Sequence, residues 1–150
     1  MNLINKITKE EFENLKTPIL FTEKNAEANN NLASISNGIN GFRIAWNSDI
    51  NPILLLVSRN IYAIGIDQHF AVVDFESQAV LLNIDLFYNF YDIKIFSGFI
   101  YVITELEIIK INLLSYTLVE TYPLPDYFEN IEFNDRGIEV KCLGGEIVTI

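Results

Sequence analysis

Asn60-Ile61-Tyr62-Ala63-Ile64 is echoed by Phe99-Ile100-Tyr101-Val102-Ile103 at a spacing of 39 residues, and Arg136-Gly137-Ile138-Glu139-Val140 falls in the same slot about 38 further on. Around these anchors, short runs of Ile, Val, Leu, Tyr and Phe alternate with turn residues every 8–12 positions, the pattern of antiparallel sheets. Residues 53–57, 60–66, 70–75 and 79–84 read as four strands of one unit. Residues 91–96, 99–104, 107–112 and 116–122 read as four of a second. Residues 130–133, 137–142 and 146–150 read as three of a third. Ser58-Arg59-Asn60, Ser97-Gly98, Asn134-Asp135-Arg136-Gly137 and Gly144-Gly145 supply turn chemistry at the cuts, the last as a two-residue hairpin.

A period near 40 with four strands per unit is the spacing of propeller blades. The run 52–150 resembles blades of the quinoprotein-type propeller family, whose repeats carry an I/V-Y-x strand followed by a strand ending in Asp, as in Val72-Val73-Asp74. The Gly-Lys turn and closing Trp of that family are missing, so no quinone or ligand site carries over. With two full units and one three-stranded unit, the expected fold is all-β and mainly antiparallel. Two to three blade-like meanders would stack as an open or partial propeller, with one short N-terminal helix. The third unit would borrow a strand from 41–46 or 18–22.

The N-terminal third is less regular. Thr8-Lys9-Glu10-Glu11 is a capping box that opens a helix to about Leu15, and Pro18 ends it. Residues 18–21 and 41–46 read as strands. Residues 24–40, rich in Asn, Ala and Ser, read as a loop or irregular edge. The chain is expected to be a single domain over 1–150, with 1–51 as N-terminal helix and strands and 52–150 as repeats.

Half of the 150 residues are apolar, which excludes disorder. The opening MNLINKITKEEF lacks the apolar stretch of a secretory leader, and no apolar run approaches the roughly 20 residues that span a bilayer. The lone Cys142 alternates with charged neighbours, so it should point inward and fits a reducing compartment. A cytoplasmic protein without membrane association is expected.

Chemistry is sparse. His69 is the single histidine; it has no second metal ligand at a useful spacing and no serine elbow beside it, and it reads as a turn residue. No phosphate-binding glycine loop is present. The chain is read as a non-enzyme with no cofactor, no metal and no catalytic residues.

Charge carries more information. Residues 1–59 hold six acids and six bases; residues 60–150 hold fourteen acids against Lys94, Lys110, Arg136 and Lys141, and so account for the whole net charge of −10. Such a surface disfavours nucleic acid. In a meander of strands A-B-C-D, the B–C turn and the D-to-A connection share one end. That sorting places Asp67, Asp85, Asp92, Glu105, Asp126 and Glu129 at one pole, with Tyr127 and Phe128 as exposed anchors. In size, acidity and lack of catalytic motifs the chain resembles the immunity proteins of bacterial polymorphic-toxin and contact-dependent growth inhibition systems. The resemblance implies a basic protein partner, a toxin domain such as a nuclease, bound and neutralised. The alternative is a small-molecule or carbohydrate-binding β-domain using Tyr88, Tyr91, Tyr122 and Tyr127 as stacking surfaces.

Overall fold

The structure, a computed structural model, describes residues 3–150; Met1 and Asn2, the start of the segment read as lacking a leader, lie outside them. The described chain is mostly strand. It forms four open sheets, none closed into a barrel, and divides into two compact units, one ending at Asp85 and the other beginning at Leu86.

The first unit begins with β1 (Ile4–Lys6) and a helix, α1 (Lys9–Asn14). The capping box forms as expected: Thr8 Oγ1 accepts from the Glu11 amide at 3.1 Å, and Glu11 accepts from the Thr8 amide at 3.2 Å. β2 (Ile19–Phe21), β3 (Asn31–Ser36) and β4 (Gly41–Trp46) complete a sheet in the order β1-β3-β4-β2. β3 corrects the expectation of a loop over 24–40. Its alternation runs through small residues, with Ala33 and Ile35 fully buried and polar neighbours between them. Asn31 Nδ2 donates to the Ser48 carbonyl at 2.6 Å, so an Asn-rich segment is held in the sheet by its side chains. Residues 18–22 and 41–46 thus belong to this fourth sheet, and the last repeat keeps three strands.

The first repeat, β5 (Ile53–Ser58), β6 (Ile61–Ile66), β7 (His69–Asp74) and β8 (Ala79–Asp85), is an antiparallel meander in the same unit. Phe42, Ile44 and Trp46 from β4 meet Ile64, Ile66, Val73 and Phe75 in one core. In the second unit, β9 (Phe90–Phe96), β10 (Phe99–Thr104), β11 (Glu107–Asn112) and β12 (Leu118–Pro123) form the next meander, followed by β13 (Phe128–Asn134), β14 (Gly137–Cys142) and β15 (Ile147–Thr149). Tyr101, Ile103 and Ile108 pack on Ile138, Val140 and Cys142. Ile138 and Cys142 are buried as the alternation of β14 requires, and Ile100 is buried in β10, which is covered on both faces.

The turns explain the repeat. Phe96 pairs with Phe99 across Ser97-Gly98, whose φ values of 49° and 85° are both left-handed, as a type I′ hairpin demands. Asp74 Oδ1 accepts the Glu76 amide at 2.9 Å, and Asn112 Oδ1 accepts the Leu114 amide at 2.8 Å. The acidic or amide residue ending the third strand is therefore a turn cap in both units. Second strands start at Ile61, Phe99 and Gly137, in equal steps of 38. The 39-residue match of Tyr62 with Tyr101 is thus one residue out of register, and one residue reverses the face. Tyr62 packs toward the sheet preceding its own, whereas Tyr101 packs toward the sheet following its own.

Candidate functional site

Strand register decides what each end of a sheet carries, and the ends of the two units differ. In the first unit, Asp67 opens the tight β6–β7 turn at φ 49°. Its carboxylate accepts the amides of Asn47 at 3.2 Å and Ser48 at 3.0 Å, together with the Ser48 hydroxyl. Expected as a partner contact, Asp67 has its carboxylate occupied in tying the chain after β4 to the first repeat. His69 is not a turn residue, since it pairs with Ile66 as the first residue of β7 and is buried. Its ring stacks on Phe21 at 4.8 Å, Nε2 lies 3.3 Å from Glu23 Oε1, and Nδ1 lies 3.9 Å from Asp85 Oδ1. The Asp85 side chain is otherwise 79% exposed.

The other expected residues belong to the second unit, and there the register gathers most of them. The Phe128 amide donates to the Glu105 carbonyl at 2.8 Å, which sets the start of β13 beside the β10–β11 turn. The Leu143 amide donates to the Tyr127 carbonyl at 2.8 Å, which brings the β14–β15 turn to the same end. Between these turns lies a groove of about 320 Å³ lined by Tyr91, Glu105, Tyr127, Phe128, Glu129 and Leu143. Asp126 stands next to it, its Oδ1 accepting the Tyr127 amide at 2.8 Å. A Cβ placed on Gly144 would lie 2.7 Å from Asp126 Oδ2 and 2.6 Å from Glu146 Oε2, so both carboxylates crowd that turn.

Phe128 departs from expectation. It is 8% exposed, because a β-bulge between Phe128 and Asn130 breaks the alternation of β13 and turns Phe128, opposite Cys142, into the same core as Ile131 and Phe133, with the Tyr91 ring 5.2 Å away and edge-on. Tyr127, one residue earlier, is 51% exposed and is the anchor that stands free. The β14–β15 turn also differs from the two-residue reading. The Gly145 amide donates to the Cys142 carbonyl at 3.0 Å, the Cys142 amide donates to the Glu146 carbonyl at 2.9 Å, and Gly145 has φ 92°. This is a three-residue loop with glycine in the left-handed position, and it lifts Leu143 to the groove wall. Leu143 escaped sequence reasoning, although an apolar residue before two glycines was its signal.

Ion pairing thins the charge unevenly. Lys94 lies 3.2 Å from Asp92, and Lys141 lies 3.3 Å from Glu129. Among the described residues, Glu105, Asp126 and Glu146 have no basic partner. Glu120, Glu132 and Glu139 lie along strands rather than at either end. Of the four tyrosines considered for stacking, Tyr91 and Tyr127 share the groove. Tyr122 lines a different hollow, of about 220 Å³, with Phe96, Phe99 and Tyr101. Its phenol is pushed up to about 12, chiefly by burial, with Glu120 adding to the effect.

Glu107, first in β11, is buried, its carboxylate makes no hydrogen bond or ion pair among the described residues, and burial pushes its carboxyl up. A raised carboxyl pKa means that the folded chain holds this proton more tightly than the unfolded one. Its contribution is fully present below the unfolded value and lost as pH rises through the folded one. Glu107→Gln is therefore expected to raise the urea midpoint at pH 7 and to leave it nearly unchanged near pH 4. An equal change at both pH values would contradict this.

Among the described residues, no three ligating side chains converge to hold a metal ion, and no helix is long and apolar enough to cross a membrane. No protein-family model matches the chain, and no curated protein matches it. Among solved structures, the crystal structure of the computationally designed Ika4 protein is similar over 93% of this chain and 94% of that one, with a TM-score of 0.54 at 11% identity. The likeness is one of fold: all-β and built of propeller-like sheets.

Proposed function

We propose that this chain is a non-enzymatic binding protein that captures and neutralises a basic protein in the cytoplasm, as immunity proteins do with a toxin domain. The observation carrying this reading is the groove end of the second unit. Exposed tyrosines lie there beside Glu105, Asp126 and Glu129, with Lys141, among the described residues, the only base paired to any of the three. Aromatic residues bring contact area at little entropic cost, and unneutralised carboxylates speed encounter with a cationic surface. The meeting of Tyr91 and Tyr127 in one groove also suits the carbohydrate alternative, which predicts binding insensitive to salt.

The test is co-expression with the product of the adjacent open reading frame. Toxicity of that product should disappear, and the two proteins should purify as a complex that dissociates in high salt. Persistent toxicity without a complex would overturn the proposal.

A further inference from the structure

The groove is small, with a specific distribution of polar and aromatic atoms. At about 320 Å³ it stands at the lower limit of ordinary ligand sites, enough for one long side chain and too little for a folded element. Tyr91, 57% exposed, and Tyr127, 51% exposed, are its aromatic walls; Phe128 is its buried base, and Leu143 is a further apolar wall.

Its two carboxylates are each oriented by one contact and each keeps one oxygen open. Glu105 Oε1 accepts from Asn89 Nδ2 at 3.3 Å, and Glu129 Oε2 lies 3.3 Å from Lys141 Nζ. Among the described residues, Glu105 Oε2 and Glu129 Oε1 have no partner. Acceptors already oriented lose less freedom when a ligand arrives.

Aromatic walls combined with two open carboxylate oxygens favour a particular cation. An ammonium is a compact, strongly hydrated charge, whereas a guanidinium is planar, weakly hydrated, stacks on aromatic rings and presents several donors at fixed angles. A neutral sugar would leave Glu105, which has no basic partner among the described residues, without charge compensation. The geometry points to a receptor for one arginine side chain of the partner, inserted between Tyr91 and Tyr127 and hydrogen-bonded to Glu105 and Glu129. This rests on the reading of that end as a docking surface for a basic protein, and it names the residue type that the surface selects.

The experiment titrates the full chain with N-acetyl-arginine amide and, separately, with N-acetyl-lysine amide, following the ring signals of Tyr91 and Tyr127 by NMR. The arginine amide should saturate with a dissociation constant on the order of millimolar, and the lysine amide should bind roughly threefold or more weakly. Tyr127→Leu and Glu105→Gln, both at partly or fully exposed positions, should each weaken the arginine amide by a similar factor while thermal unfolding stays at the wild-type temperature. Equal binding of the two amides, absence of saturation, or indifference to both substitutions would overturn the arginine site.

The two proposals fail separately. A co-expressed partner captured by a chain that binds neither amide, with capture insensitive to Tyr127→Leu, would sink the arginine site and leave the inhibitor reading standing. Saturable arginine binding without protection or complex would support the site and sink the inhibitor.

Discussion

Trp46→Ala is expected to cost about 3–5 kcal/mol of stability, a large share of the roughly 5–15 kcal/mol that holds a domain folded. Trp46 is fully buried at the end of β4, among the largest side chains of the first unit's core. Its indole Nε1 donates to the Ile50 carbonyl at 2.8 Å, so the substitution removes a hydrogen bond as well as opening a cavity. The unfolding temperature should fall by roughly 10 °C, taking about 2–4 °C for each kcal/mol in a chain of this size. Leu114→Ala, at a position 92% exposed, should change stability by less than about 0.5 kcal/mol. Urea denaturation of both variants checks the pair. A loss below about 1 kcal/mol at Trp46 would mean that the N-terminal sheet is not packed on the first repeat as described.

The second large effect concerns association. Asp126→Lys together with Glu129→Lys moves the local charge by four units at the groove end, without touching the core. Steered encounters depend on the summed field around the docking patch and fade as salt screens it. At low salt, the association rate with the captured partner should fall by about tenfold or more, and its dependence on ionic strength should flatten. The unfolding temperature should stay close to wild type, because both side chains reach solvent and neither is in the buried core.

The meander itself was legible because its signals are local. Apolar alternation, turn residues and left-handed positions at Asn60, Ser97 and Gly98 are all written within a few residues of where they act. The exact register was less so. Matching Tyr62 to Tyr101 by residue type suggested a step of 39, whereas turn caps at Asp74 and Asn112 and strand starts at Ile61 and Phe99 keep a step of 38. Side-chain identity misled there, since a core accepts tyrosine on either face, while a turn cap works at one position only.

The N-terminal sheet was partly hidden for a different reason. β3 has few large apolar residues, and Asn31 is held by a bond to Ser48, seventeen residues away. No local periodicity announces such a strand. Of the candidate site, strand order was enough to bring Glu105, Asp126, Tyr127 and Glu129 to one end, because a meander leaves each turn no choice of pole. The bonds of the Asp67 carboxylate to Asn47 and Ser48, and the inward turn of Phe128 against Tyr91, have no local sequence signal. Both depend on contacts between elements distant in the chain.

Whether place or total charge matters can be measured by setting two double reversals side by side. Glu132 and Glu139 are exposed cross-strand neighbours in the same unit, away from the groove. Glu132→Lys with Glu139→Lys changes net charge by the same amount as Asp126→Lys with Glu129→Lys, and it leaves a like-charge pair where one already stood. Association rates of both variants with the captured partner, taken across a range of salt concentrations, form the test. The docking account predicts a slow, salt-insensitive association for the Asp126 and Glu129 pair and a rate within about threefold of wild type for the Glu132 and Glu139 pair. Equal slowing by both would contradict it, leaving net charge alone, with no docking end.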